Sequence, residues 1–136
     1  MALMNWDQSL DVGEDKMNHE HQDILKLMND LHDAWLAGKT GSEVLIILRD
    51  LVKVTTDHFA DEEVYMQEIG YASLATHKMI HADLLKKLNG YYDFYRSNDG
   101  QLSRDFFSFL KLWLTAHIKG VDMKYAGRAK ALREAS

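Results

Sequence analysis

Residues 44–66, which read VLIILRDLVKVTTDHFADEEVYM, combine a long apolar run with polar residues at helical spacing. Steps of three and four residues, the spacing of one face of an α-helix, join Leu45, Leu48, Val52, Thr55, His58, Glu62 and Met66. A histidine and a carboxylate therefore lie on the face that is expected to pack into a core. The first half of the segment is apolar on more than one face, which favours deep burial over an oligomer contact on the outer side.

Three further segments of the chain show the same periodicity. Their apolar stripes are Met17, His21, Ile24, Met28, Leu31 and Trp35 in the first segment; Leu74, His77, His81, Leu84, Leu88, Tyr91 and Tyr95 in the third; and Leu102, Phe106, Leu110, Trp113 and His117 in the fourth. Four long amphipathic helices with short connections pack most simply as an antiparallel up-down bundle. The sequence therefore predicts an all-α fold, an antiparallel four-helix bundle.

Glycines and polar turn residues separate the four segments, at Gly38, Gly41, Gly70 and Asn98-Asp99-Gly100. Thr40 with Glu43 predicts a capping box at the start of the second helix, and Ser73 is a cap for the third. The predicted helices cover residues 17–37, 42–68, 73–96 and 102–120. An irregular arm at residues 1–15 and a frayed helical tail at residues 126–136 complete a single domain, residues 1–136.

Composition and charge exclude several classes of protein. The chain has no proline and no cysteine, so long helices are favoured, and disulfides, thiolate metal sites and thiol nucleophiles are excluded. A net charge of −5 without a basic block argues against nucleic acid as a partner. No apolar run approaches the about 20 residues of a membrane span, and no secretion signal opens the chain. We expect a cytoplasmic monomer or weak oligomer that is not inserted in a membrane.

Five of the seven histidines occupy the apolar stripes: His21, His58, His77, His81 and His117. Burying such groups without partners would cost roughly 1–3 kcal/mol each, so something must satisfy them jointly. His58 and Glu62 are four residues apart, as are His77 and His81, and each pair can chelate one centre from one helical face. This pattern predicts a mononuclear or dinuclear metal site. Imidazole and carboxylate ligands without sulfur suit iron, zinc, copper or manganese.

Asp122 follows His117 by five residues, a spacing that points it off the His117 face of a regular α-helix. Gly120 between them allows the helix to tighten or bulge, and a one-residue bulge would turn Asp122 back towards the core. We therefore predict a local helix distortion at this point.

Four motifs together resemble the hemerythrin family, most closely its bacterial single-domain members, the bacteriohemerythrins. They are NHEHQ (residues 18–22), HFADEE (58–63), HKMIH (77–81) and HIKGVD (117–122). Each motif alone has low specificity, but their combination in this order is specific and covers nearly the whole chain. One departure is Asn18, where the family usually has aspartate; this change is expected to alter hydrogen bonding near the site without removing a ligand.

The resemblance implies a role for each ligand. By analogy with the family, His77, His81 and His117 would bind one iron, His21 and His58 the other, and two bridging carboxylates, Glu62 and Asp122, would join them. The implied cofactors are two iron ions (Fe2+/Fe3+) with a bridging oxygen, and O2 as ligand. Of about twelve positions on two six-coordinate irons, one then stays open, on the iron with two histidines.

Two other histidines, His19 and His32, are further candidates for metal ligands. His19 is an alternative to His21, but the stripe through Met17 and Ile24 favours His21. His32 lies on nearly the same face as His21, yet eleven residues correspond to ~16 Å of helix. We expect His32 to be a structural or partly exposed residue.

Further residues match positions around the metal site in the family. The apolar residues near the open position would form an oxygen pocket, with core packing as the alternative role: Ile24, Phe59, Trp113, Leu114 and Ile118. Tyr71 and Tyr125 match family tyrosines that lie behind the ligands.

The function implied by the resemblance is reversible binding of molecular oxygen for storage, transport or delivery to an oxygen-consuming enzyme. An oxygen or redox sensor that acts through a partner is one alternative, and a diiron oxidase or peroxidase is another. Diiron oxidases on four-helix bundles usually carry two Glu-x-x-His motifs, and no glutamate of this chain has histidine three residues later. We therefore expect a binding protein and not an enzyme.

Overall fold

The structure, a computed structural model, describes residues 3–135 and is all-helical over that range. Its elements are a 3₁₀ turn (Gln8–Leu10), α1 (Asp15–Leu36), α2 (Ser42–Glu68), α3 (Leu74–Ser97), α4 (Arg104–His117), a π-helical turn (Ile118–Asp122) and α5 (Met123–Ala135). The predicted all-α class is confirmed. Met1 and Ala2 of the expected arm and Ser136 of the expected tail lie outside the described residues.

Helices α1 to α4 close into a bundle around one core. Connections of a few residues return the chain between successive helices. Aromatic contacts join α4 to both α1 and α3. Between ring centroids, Phe107 of α4 lies 5.0 Å from Trp35 of α1, and Phe106 lies 4.9 Å from Tyr91 of α3. Within residues 3–135, no helix has both the length and the apolar character that crossing a membrane requires.

The start of α2 differs from the prediction. The N-cap is Gly41, with φ of 68°, and no side chain caps the helix, so the predicted capping box of Thr40 and Glu43 is wrong. A contact between loops decides this start, because the Gly41 N–H donates to the Asp99 carbonyl at 2.7 Å. A Cβ on Gly100 would lie 2.8 Å from the Gly41 nitrogen, so the two loops pack backbone to backbone.

The buried face of α2 is rotated relative to the predicted stripe. Val44 and Leu51 are fully buried, whereas the predicted Leu45 and Val52 are only partly buried. The VLIIL run is apolar at consecutive positions, so its periodicity does not define one face. Beyond Thr55, the residues that the spacing predicts are all buried, including His58 and Glu62, and Phe59 is buried as well.

Described residues of both the arm and the tail pack against the bundle. In the arm, Leu10 and Val12 are buried, and the Asn18 side chain accepts a hydrogen bond from the Val12 N–H at 2.9 Å. Asn18 therefore ties the arm to α1. The tail forms α5, in which Ala129 is buried and Arg128 donates to the Ile69 carbonyl at 3.1 Å, so its first turns are packed and not frayed.

Candidate metal centre

All seven expected ligands lie in the bundle core and converge on one place. Each is buried, with at most 6% of its surface exposed: His21, His58, Glu62, His77, His81, His117 and Asp122. The competing His19 has 75% of its side chain exposed and lies beside Asp23 on the surface. The structure therefore separates the two neighbouring histidines as the stripe predicted.

The ligand atoms form two overlapping groups that share both carboxylates. One group contains His77, His81 and His117, and the other contains His21 and His58. Each group also contains Glu62 and Asp122, and within a group all ligand atoms lie within 4.8 Å of one another. Two adjacent metal ions could be held here, one by three histidines and one by two, with both acids within reach of each position.

The histidines all present the same ring nitrogen to the carboxylates. The distances from Nε2 to a carboxylate oxygen are 3.1 Å for His21 to Asp122, 3.3 Å for His58 to Glu62, 3.0 Å for His77 to Asp122, 2.9 Å for His81 to Glu62, and 3.1 Å for His117 to Asp122. One ring edge of each histidine thus faces the centre, and Nδ1 is left for contacts outside it.

These short distances lack the alignment of hydrogen bonds. All five Nε2 atoms, Oε1 of Glu62 and both oxygens of Asp122 are buried without a hydrogen-bond partner among the described residues. Eight unsatisfied polar atoms in one core would be strongly destabilising. Metal ions held between the atoms would satisfy them all, and nitrogen with oxygen donors suits iron. The residues therefore fit a dinuclear metal centre.

A distorted helix brings Asp122 into the cluster. Residues Ile118–Asp122 form a π-helical turn between α4 and α5, as predicted from the five-residue spacing and Gly120. A π-turn adds one residue to the helical repeat, so residues five apart share a face. Asp122 and His117 consequently point to the same side, with 3.1 Å between carboxylate and Nε2.

Contacts with neighbouring side chains raise the pKa of two histidines, His58 and His77, and lower the pKa of Asp122. Burial opposes charge on His58, but the Glu20 and Glu62 carboxylates outweigh it and raise the pKa of His58 to about 9. Against the same opposition from burial, Asp122 and Glu62 raise the pKa of His77 to about 9. Burial favours the neutral form of Asp122, yet the surrounding histidines lower its pKa to about 2. Without metal, His58 and His77 thus favour their protonated forms and Asp122 its charged form.

Two further carboxylates support the ligands from outside, and the sequence interpretation missed both. Glu20 accepts from Nδ1 of His58 at 2.7 Å, and Glu63 accepts from Nδ1 of His81 at 2.9 Å. A carboxylate that accepts the Nδ1–H fixes the ring orientation and makes Nε2 a stronger electron-pair donor to a metal. Each metal position therefore has one histidine held in this way. Glu20 and Glu63 are chain neighbours of ligands, which was a usable sequence signal.

The expected tyrosines lie behind the bridging acid and one histidine. The Tyr125 hydroxyl donates to Oε2 of Glu62 at 2.8 Å, and burial raises the pKa of Tyr125, so the hydroxyl keeps its proton. Tyr71 makes no hydrogen bond to a ligand; its ring lies 6.5 Å from those of His77 and Tyr125. Tyr125 thus positions Glu62 directly, whereas Tyr71 packs at the edge of the site.

The five expected pocket residues are all buried: Ile24, Phe59, Trp113, Leu114 and Ile118. Phe59 stacks flat on the ring of His81, with centroids 3.8 Å apart, and lies 5.8 Å from His58. Trp113 meets Phe59 edge-on at 6.2 Å. An apolar wall therefore covers the histidines on this side of the centre.

His32 lies away from the cluster, as expected. It is half-buried, and its ring lies 5.0 Å from Phe107 and 5.8 Å from Trp35. It packs between α1 and α4 and is absent from both ligand groups.

The fold and the cluster together define a four-helix-bundle protein whose buried histidines and carboxylates can hold metal ions. The family model described as the hemerythrin HHE cation binding domain matches residues 12–129. The chain belongs to the hemerythrin family, as its motifs predicted.

Curated relatives and a solved structure are similar to this protein over most of its chain. The sequence is 35% identical to a myohemerythrin of Theromyzon tessulatum over 90% of this chain and 91% of that protein. It is 33% identical to a bacteriohemerythrin of Stenotrophomonas maltophilia over 96% and 84%, respectively. A crystal structure of wild-type hemerythrin superposes with a TM-score of 0.85 at 30% identity, covering 93% of this chain and 97% of that one.

Proposed function

We propose that the chain binds molecular oxygen reversibly at two iron ions held by the seven clustered residues, for storage, transport or delivery to an oxygen-consuming enzyme. The observation that carries the proposal is the unequal division of the histidines, three against two around shared carboxylates. When bound, the iron pair supplies an open coordination position and the electrons that dioxygen accepts. The position held by His21 and His58 has one histidine fewer and would be the one at which dioxygen binds.

The chain's own residues would make the binding reversible. Phe59 lies beside the histidines, Trp113 packs on Phe59, and Leu114 is buried one residue further along α4; together they would keep water from the site, where protons would promote loss of the bound gas. Glu20 holds the His58 ring, and Tyr125 holds Glu62 through its hydroxyl proton. These contacts keep the ligands in place while oxygen enters and leaves.

An enzymatic role has less support. Among the described residues, the wall is apolar except for the indole N–H of Trp113, and the acids of the cluster face histidines or, for Glu62, also Tyr125. An oxidase would also need a general acid at the open position. A sensor role would use the same oxygen site and differ only in a partner that responds to it.

Repeated oxygenation tests the proposal. Protein loaded anaerobically with ferrous iron should develop a visible absorption band when oxygen is admitted and lose it on purging, over several cycles. Irreversible bleaching with formation of a product would refute reversible binding in favour of an oxidase.

Metal counting tests the ligand assignment. His58→Ala should lower the bound iron below two ions per chain, whereas His19→Ala, which changes an exposed neighbour of the cluster, should not. An unchanged iron content in His58→Ala would show that the assignment is wrong. Metal analysis of the wild-type protein from iron-replete cells distinguishes iron from zinc or manganese.

A further inference from the structure

A small cavity adjoins the three-histidine side of the centre at the beginning of α3. Its volume is about 90 Å³, well above the about 10–15 Å³ that one water molecule needs. Among the described residues that line it are Tyr71, Ser73, Thr76, His77 and Lys124. The cavity is distinct from the apolar wall, which covers the histidines with Phe59 and Trp113.

His77 offers an unsatisfied donor beside this cavity. Only 2% of the residue is exposed, and its Nδ1 has no hydrogen-bond partner among the described residues. Its Nε2 faces Asp122 and Glu62 at 3.0 and 3.3 Å. An imidazole that gives Nε2 to a metal carries its proton on Nδ1, and that N–H normally finds an acceptor. His58 and His81 have carboxylates there, whereas Nδ1 of His21 and Nδ1 of His77 have no partner among the described residues, and of these two histidines His77 lines the cavity.

The surroundings of the cavity supply donors and positive charge. Ser73 is the N-cap of the 24-residue α3, its side chain caps no backbone N–H, and the first turn has no acidic residue. The first N–H groups of a helix lack intrahelical acceptors and carry the positive end of its dipole. Lys124 adds a cation, Tyr71 and Thr76 add hydroxyls, and no Asp or Glu is among the described lining residues.

We propose that this cavity binds a small inorganic anion of the size of chloride, which accepts the Nδ1–H of His77 and lies near Thr76 and Lys124. The effect on oxygen rests on the function proposed above. An anion that accepts the Nδ1–H makes Nε2 a stronger electron-pair donor to the metal. A stronger electron-pair donor favours the loss of electrons from the iron pair that accompanies oxygen binding. Oxygen affinity therefore rises with chloride, and by linkage oxygen raises the affinity for chloride.

Crystallography of the metal-loaded protein in sodium bromide locates the anion. The expected result is an anomalous bromide peak in the cavity within hydrogen-bond distance of His77 Nδ1. Water alone in the cavity, or bromide only at the open coordination position of the metal pair, would overturn the proposal. This measurement does not use oxygen, so it can fail while reversible oxygenation succeeds, and the reverse also holds.

Solution measurements separate a built site from binding at crystal concentration only. Chloride NMR line broadening on the zinc-loaded protein should be competed by bromide, and Lys124→Met should weaken chloride binding about two- to fivefold. Lys78→Met is the matched control, because Lys78 is an exposed lysine next to His77 that does not line the cavity. Thr76→Val provides a second variant. Equal affinities in wild type, Lys124→Met and Thr76→Val would refute the site.

Discussion

Removal of the metal should reverse the way in which this protein's stability depends on pH. In the metal-free chain, the pKa of His58 and that of His77 are raised from 6.5 to about 9 by contacts with carboxylates. A group whose folded pKa is raised stabilises the fold fully below its unfolded pKa and loses that contribution as pH rises through the folded value. The metal-free protein should therefore lose stability between pH 6.5 and about 9.

The size of the effect follows from the same values. A rise of the pKa from 6.5 to about 9 corresponds to about 3 kcal/mol for one histidine. His58 and His77 share the Glu62 and Asp122 carboxylates, so their contributions overlap and the total stays near that of one group. For a domain of this size, about 3 kcal/mol corresponds to a fall in Tm of roughly 10 °C.

Thermal unfolding followed by far-ultraviolet circular dichroism measures this difference. The metal-free protein, kept with a chelator, should show a Tm about 10 °C lower near pH 9 than near pH 6.5. The zinc-loaded protein should show the opposite trend, because metal binding requires deprotonated histidines and competes with protons at low pH.

Controls distinguish the cluster from other titrating groups. His19→Gln removes an exposed histidine outside the cluster and should leave the pH profile unchanged. Replacing both histidines, His58→Gln with His77→Gln, should reduce the fall in Tm, whereas either replacement alone should reduce it less because their contributions overlap. A metal-free Tm that is constant or rises between pH 6.5 and 9 would refute the reasoning. At the acid end, the lowered pKa of Asp122, about 2, predicts that stability is lost only as pH falls below about 4.

Three further predictions concern single side chains around the centre. Leu114→Ala should open the apolar wall and hasten autoxidation, measured as loss of the oxygenated spectrum with time; an unchanged rate would limit Leu114 to core packing. Tyr125→Phe removes the hydrogen bond to the bridging carboxylate and should lower the free energy of unfolding by roughly 1.5–3 kcal/mol in urea titrations. Glu20→Gln should weaken metal retention about 10- to 100-fold at the position that contains His58, in chelator competition, whereas Glu63→Gln should weaken the other position.

Several features of the site follow from local sequence. Helical spacing placed His21 on the buried face and His19 on the surface, because a step of two residues crosses to another side of a helix. The five-residue separation of His117 and Asp122 required a distortion if both were to face inward, and Gly120 showed where the helix could accommodate it. These inferences depend only on residues within one or two turns of each other.

Other features were decided by contacts between distant segments. The start of α2 at Gly41 depends on its packing against Gly100, which overrides the local capping signal of Thr40. The rotation of α2 near Val44 depends on its neighbours, because the sequence there is apolar on several sides.

The sequence by itself determined four helices and placed five histidines and Glu62 on their inner faces, since periodicity assigns each residue to a buried or exposed face. Asp122 joined this set only through the distortion expected at Gly120 and the resemblance to the hemerythrin family. Only the tertiary structure decided which carboxylates outside the cluster accept hydrogen bonds from Nδ1 of those histidines. Glu20 is 38 residues from His58, and Glu63 is 18 from His81. Their pairing depends on the rotation and offset of neighbouring helices, which arise from packing of whole side-chain surfaces and not from any local pattern. Helix packing likewise decides that Nδ1 of His77 has no hydrogen-bond acceptor among the described residues.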